Sequence, residues 1–288
     1  MNEAPAARYL ALARQGHNQW WRYLLAIALI LFCWLGLGYL PYLWLASRGP
    51  LGTMSFYTAV NLSIVMMLLG LVLAMRFIHR RPVRTLITPS PRIAWRRVLH
   101  GAAVWAAIGV AAALIEHWLY PDRYYVSFDA AAFFPFAVLA LVLTPIQTTT
   151  EELLFRGYVM QALGLRMRRP LLIGAASAVI FTLPHLANPE VRHGAALLAA
   201  SYFTIGFLLS MVTLREGRLE LAIGLHAANN LMLALVANYE GSVLASESIF
   251  TARELDPVYS FASLAVGALI FYALFFARRE GALAGVPQ

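Results

Sequence analysis

Eight apolar segments of about membrane-crossing length take up most of this 288-residue chain. A helix that crosses the hydrocarbon layer of a membrane needs about 20 mostly apolar residues. Apolar residues make up 61% of the chain and charged residues 12%, whereas soluble domains contain about 45–50% and about 25%. We therefore expect an all-α membrane protein, a bundle of about eight transmembrane helices. The predicted spans are residues 21–46, 56–78, 98–120, 131–155, 171–188, 194–214, 219–237 and 258–277.

The distribution of arginine indicates how this bundle is oriented. All 22 basic residues are arginine; with alternating spans, 17 lie on one side, 4 on the other, and Arg156 within a span. Cytoplasmic connections carry the excess of basic residues in membrane proteins, so we expect both termini and residues 79–97 in the cytoplasm. Residues 238–257, with four acids and one arginine, are then external. We expect a multi-pass protein of a bacterial inner membrane and no nucleic-acid partner.

The single cysteine, Cys33, lies in an apolar run. One cysteine excludes an intrachain disulfide, a CxxC redox pair and a cysteine-rich zinc site. Any chemistry must therefore come from the few polar residues inside the spans.

The stretch TPIQTTTEELLFRG places two adjacent carboxylates and an arginine in the fourth predicted span. Charged side chains in a membrane are costly and usually functional, although an ion cluster at the membrane surface is an equally simple interpretation. On a helix Glu152 and Arg156 are i,i+4 neighbours and can pair, whereas Glu151 points about 100° away. We expect Glu152 to be neutralised by Arg156 and Glu151 to be the proton acceptor. Pro145 and the threonines at 148–150 predict a kink or local unwinding.

Two histidine motifs interrupt later spans. His185, in FTLPH, lies at the end of the fifth span, and His226 and Asn230, in HAANN, share a face of the seventh. Asn229 is expected to point elsewhere. Each motif alone could simply form hydrogen bonds between helices. Together with Glu151 they contain the parts of a hydrolytic site: a general base, a proton shuttle and donors to an oxyanion.

The three motifs in this order resemble the CPBP family of intramembrane proteases, which includes the type II CAAX prenyl endopeptidases and the bacterial Abi and lysostaphin-resistance relatives. The family pattern is EExxxR, then FxxxH, then HxxxN or HxxxD. The matching residues are Glu151, Glu152 and Arg156, then Phe181 and His185, then His226 and Asn230. The resemblance covers about residues 140–236.

The resemblance implies a role for each motif residue. Glu151 would activate water, and His185 would assist proton transfer. His226 and Asn230 would hold the developing oxyanion. The two remaining residues, Glu152 and Arg156, would organise the site.

The resemblance leaves the use of a metal open. The family is often labelled as metalloproteases, and Glu151, His185 and His226 are the candidate ligands of a three-ligand zinc site. These residues lie on three helices, however, and the chain contains no HExxH. We therefore favour hydrolysis by a glutamate-activated water that requires no metal.

The resemblance also divides the chain. Residues 1–130 would be accessory N-terminal spans, 131–237 the CPBP/Abi-like protease core, and 238–288 the external loop and the last span. The site residues are expected to line one water-filled cavity. It should open toward the cytoplasm, because Glu151 and His226 lie near that end of their spans.

The expected activity is that of an intramembrane endopeptidase, with C-terminal processing of the CAAX type implied by the resemblance. Its partners would be the lipid bilayer and a membrane-associated peptide or protein substrate; the oligomeric state is open. Two alternatives are a proton- or ion-coupled transporter and a catalytically silent immunity or scaffold protein of the same fold. Inverted repeats and broken helices in matching halves would favour the transporter, and the sequence contains no such repeat.

Overall fold

The computed structural model describes residues 4–277, apart from the side chains of residues 192 and 193, and it is mostly helical. Arg278 and Arg279, which the topology prediction uses, lie outside the described residues. In chain order the helices are α1 (Pro5–Leu10), α2 (Trp20–Ala46), α3 (Thr53–Ile78), α4 (Trp95–Leu119), α5 (Ala130–Leu163), α6 (Pro170–His185), α7 (Ala195–Glu216), α8 (Glu220–Val236) and α9 (Pro257–Phe276).

Six of these helices are long and apolar enough to cross a membrane: α2, α3, α4, α5, α7 and α9. Helices α6 and α8 occupy the fifth and seventh predicted spans but are shorter. At 16 residues, α6 is about 24 Å long, less than the hydrocarbon thickness of about 30 Å. The integral membrane class and the helical architecture are confirmed, whereas the count of eight spans and the location of the termini stay predictions.

A small sheet of three strands lies at the arginine-poor end of the bundle, where two connections meet. Its strands are β1 (Tyr124–Val126), β2 (Ala237–Tyr239) and β3 (Phe250–Ala252), in the order β1-β3-β2. Strand β1 pairs antiparallel with β3, and β2 pairs parallel with it. The sheet therefore ties the α4–α5 connection to the α8–α9 connection.

Residues 5–15 and 82–94 cover the arginine-rich end. The hydroxyl of the fully buried Tyr9 donates to the backbone oxygens of Leu86 (2.5 Å) and Arg156 (3.3 Å). Leu86 packs directly on Gly157, where an added Cβ would lie 2.9 Å from the Leu86 Cβ. These contacts close this end of the bundle beneath α5.

Helices α4 and α8 cross with their backbones in close contact. A methyl group added at Gly224 would lie 1.8 Å from the carbonyl oxygen of Val98, and one at Gly101 would lie 2.2 Å from that of Leu221. Small residues allow helix backbones in membranes to approach in this way. This crossing sets the position of His226, two residues after Gly224.

We expect Gly224→Ala to destabilise the protein by about 1–3 kcal/mol, because the methyl group meets backbone and the helices must separate. Thermal unfolding in detergent measures this change. Gly109→Ala on α4 is the matched control, since its Cβ would meet only the flexible tip of Met232, at 3.6 Å. Equal melting temperatures for the two variants would contradict the close crossing.

The arginine asymmetry predicts which connections react with a membrane-impermeant thiol reagent added to intact cells. In a Cys33→Ala background, Ala245→Cys should react and Arg92→Cys should react only after the membrane is opened. Both positions are exposed, so burial does not explain a difference. Labelling of residue 92 alone would invert the topology.

Candidate active site

The two carboxylates of α5 have different environments. Glu152 and Arg156 form an ion pair of 2.8 Å, and both side chains are fully buried. Arg156 also donates to the carbonyl oxygen of Gly206 (3.0 Å) and lies over the ring of Phe181. The predicted pairing is confirmed. No part of either side chain is exposed, so the pair is part of the protein interior and not a solvated surface cluster.

The unwinding predicted near Pro145 is displaced along α5. The helix is α-helical from Ala130 through Glu152 and then widens into a π-helical segment at Leu153–Val159. The hydroxyl of Thr148 donates back to the carbonyl oxygen of Thr144, within the helix. The irregular geometry therefore follows the two carboxylates, and π-helical segments of this kind are frequent at functional sites.

His226 lies between the two carboxylates. Its Nδ1 is 2.8 Å from Oε1 of Glu152, and its Nε2 is 3.8 Å from Oε2 of Glu151. A carboxylate accepts, so Nδ1 carries the proton in the neutral ring. The longer distance exceeds a direct hydrogen bond, but Nε2 and the Glu151 carboxylate can both bond to one water.

A chain of amides extends from Glu151. Gln147 donates to Oε1 of Glu151 (2.8 Å), and Asn230 donates to Oε1 of Gln147 (3.4 Å). Asn229 in turn donates to Oδ1 of Asn230 (3.1 Å) and accepts from the indole of Trp105 (3.1 Å). The predictions missed Gln147, although its i,i+4 spacing from Glu151 signals the contact. The expectation that Asn229 points elsewhere is wrong, because the space beside α8 is wide enough to receive both asparagines.

His185 is held at the end of α6 by its neighbours. Its Nδ1 lies 2.7 Å from the carbonyl oxygen of Phe181, and its ring lies between those of Phe181 (4.4 Å) and Tyr202 (4.7 Å). A carbonyl can only accept, so Nδ1 carries a proton and Nε2 of the neutral ring is a free acceptor. Tyr202 is itself fixed by bonds to Asn188 and Glu190; sequence reasoning had no signal for it.

One cavity of about 640 Å³ contains Glu151, His185, His226 and Asn230 in its wall. All four residues therefore share the wall of one cavity, whereas their catalytic roles stay predictions. Glu152 and Arg156 lie behind the wall and hold His226 from there.

The cavity extends toward the arginine-poor end of the bundle. Its outer wall includes residues of the connections after α4, α6 and α8, among them Tyr124, Asn188 and Tyr239. The predicted opening toward the arginine-rich end is wrong, because residues 5–15 and 82–94 close that end. Burial alone would raise the pKa of Asp256 at the outer mouth, but hydrogen bonds from the Tyr259 N–H and Arg123 hold that pKa below its usual range.

The candidate zinc ligands do not form a metal site in this arrangement. In residues 4–277, leaving aside the side chains of 192 and 193, no group of three His, Cys, Asp or Glu is close enough to hold a metal ion. Glu151 and His226 approach each other, but His185 is turned onto its own helix. The three residues therefore do not fit a three-ligand zinc site.

Two comparisons with known proteins bear on this cavity. A family model described as type II CAAX prenyl endopeptidase Rce1-like matches residues 130–232, the part of the chain that contains every motif residue. A protein of Bacillus subtilis (strain 168) named "Uncharacterized protein YyaK" is 38% identical over 205 residues, which cover 70% of this chain and 68% of that protein.

Proposed function

Since this chain belongs to the type II CAAX prenyl endopeptidase Rce1-like family, we propose that it is an intramembrane endopeptidase that hydrolyses a peptide bond in a membrane-associated substrate. The observation that carries this proposal is that the two adjacent carboxylates have different partners. Glu152 binds both Arg156 and His226, each at 2.8 Å. Glu151 stands at the cavity wall and is free to act on water.

Glu151 is the general base of the proposed reaction. A water bonded to its Oε2 attacks the scissile carbonyl carbon, and Glu151 takes the proton as the new C–O bond forms. Gln147, donating to the other carboxylate oxygen, holds Glu151 in the orientation that this transfer needs.

His226 and Asn230 support the charge that develops on the carbonyl oxygen. A protonated His226, with Glu152 on Nδ1 and Glu151 near Nε2, can donate from Nε2. The Asn230 amide gives one N–H to Gln147 and its carbonyl accepts from Asn229, so its second N–H can donate to the same oxygen.

His185 completes the proton balance. Its free Nε2 accepts from Glu151 the proton that this carboxylate took from the water, and delivers it to the amine nitrogen as the C–N bond breaks. The ring contacts with Phe181 and Tyr202 keep the imidazole in one orientation. The scheme uses no metal, and CAAX-type C-terminal processing is the activity that the family name suggests for it.

A library of membrane-tethered peptides incubated with the purified protein tests the proposal, with products read by mass spectrometry. We expect cleavage, and we expect His226→Ala to lower kcat/KM by roughly 10²–10³-fold if His226 is an oxyanion donor. His100→Ala, an exposed histidine on α4, should leave the rate unchanged. Absence of any cleavage by the unaltered protein would favour the transporter or the silent scaffold.

A further inference from the structure

The cavity that contains Glu151 has an unbalanced set of charges. Its other acids are Glu116, Glu190, Glu254 and Asp256, and no arginine is in its wall among the described side chains. Arg123, just outside the wall, bridges Glu116 (2.7 Å) and Asp256 (2.8 Å). One cation is therefore shared by two carboxylates.

Glu190 adds a buried carboxylate to the cavity wall, in the connection after α6. It is 5% exposed. Its two oxygens accept from the Tyr202 hydroxyl and the Val243 N–H, each at 2.8 Å. Both donors are neutral, so these bonds orient the carboxylate without cancelling its charge. It lies near Tyr202, which packs on His185.

The apolar walls strengthen this imbalance. One side of the cavity is formed by Phe56, Val60, Ile64 and Met67 on α3, and the other by Trp105 and Ile108 on α4. Charges of one sign in a cleft with low-dielectric walls concentrate oppositely charged ligands. A free C-terminal carboxylate, which a substrate of C-terminal processing carries, has no arginine to bind in the described wall.

We propose, resting on the proposed function, that the substrate is a peptide segment with basic residues beside the cleaved bond, and that it enters from the arginine-poor face. By the positive-inside rule this face is extracytoplasmic. The cavity extends to that face between the connections that carry Tyr124, Asn188 and Tyr239. The substrate is thus an extracytoplasmic, cationic segment of a membrane-associated protein or peptide.

The charge and direction of the cavity can be measured without any proteolysis. In a Cys33→Ala background, Ser263→Cys places a thiol in the cavity wall on α9. We expect it to react in intact cells with a small impermeant cationic methanethiosulfonate about tenfold faster than with an anionic one, after correction for their rates with a free thiol. Reaction only after the membrane is opened, or equal corrected rates, would overturn the proposal.

Two variants that replace a carboxylate by an amide distinguish the effect of charges in the cavity wall from the effect of charges on the protein surface. Glu254→Gln, at the mouth, should reduce the cationic preference roughly twofold to threefold. Glu247→Gln, in the same connection but outside the cavity wall, should leave it unchanged. A larger effect from residue 247 would assign the preference to the surface and contradict the proposal.

Cleavage then tests the substrate class itself. Of two tethered peptides that differ only by lysine or glutamate in the two positions flanking the cut, we expect the lysine peptide to be cleaved about tenfold faster. Faster cleavage of the glutamate peptide would refute the substrate class and keep the protease. If neither peptide is cleaved while the thiol at residue 263 still reacts faster with the cationic reagent, the protease function is rejected. The proposal of a cavity that is selective for cations then remains.

Discussion

Glu151→Gln should reduce peptide hydrolysis by roughly 10²–10⁴-fold, the range typical of losing a general base. The amide has the shape of the carboxylate and can still bond to Gln147, but it cannot take a proton from water. We therefore expect the melting temperature to stay near that of the unaltered protein while kcat falls. Single-turnover cleavage of a tethered peptide measures the effect.

Glu254→Gln is the matched control for this experiment, since it removes a carboxylate from the same cavity at its mouth. Its rate of peptide cleavage should fall only a few-fold, as expected for a peripheral charge. Full activity of Glu151→Gln would reject the proposed mechanism. An equal loss in both variants would mean that the cavity needs negative charge and not a base at residue 151.

Arg156→Met should be strongly destabilising, by about 3–5 kcal/mol, because it leaves the Glu152 carboxylate buried without its cation. Both partners are fully buried, so water cannot replace the guanidinium. For a chain of this size the loss corresponds to a melting temperature lower by roughly 10 °C. Activity should fall as well, since Glu152 also holds Nδ1 of His226.

A double variant shows whether the stranded charge is the cause. Glu152→Gln combined with Arg156→Met removes both charges, and the amide oxygen can still accept from His226. We expect it to recover much of the melting temperature lost in Arg156→Met alone. If the double variant is no more stable than the single one, the stranded charge is not the cause of the loss. The stabilisation by Arg156 would then come from its hydrogen bond to Gly206 and its contact with the Phe181 ring.

The membrane class and the pairing of Glu152 with Arg156 follow from the sequence by itself. Apolar segments of about 20 residues have few alternatives to a transmembrane helix, because backbone polar groups must be satisfied within the membrane. An i,i+4 pair is a property of one helix and needs no knowledge of its neighbours. The motif order was sufficient for the family, because it depends on residue types and spacing.

The direction of the cavity required the tertiary structure. Glu151 lies close to the arginine-rich end of the predicted span 131–155, and counting residues along that span therefore predicts an opening at that end. The packing of Tyr9 and Leu86 beneath α5 closes it instead. These contacts join residues far apart in the chain, and no pattern within a single span encodes them.

The remaining details of the site have the same origin. Whether Asn229 reaches the cavity depends on the distances of α4 from α8 and from α3. The close crossing at Gly224 sets the distance between α4 and α8. The orientation of the His185 ring depends on stacking between two helices, because Phe181 comes from α6 and Tyr202 from α7. Spacing along a helix determines which side chains share a face, but the packing of helices against one another determines which faces meet and which gap stays open.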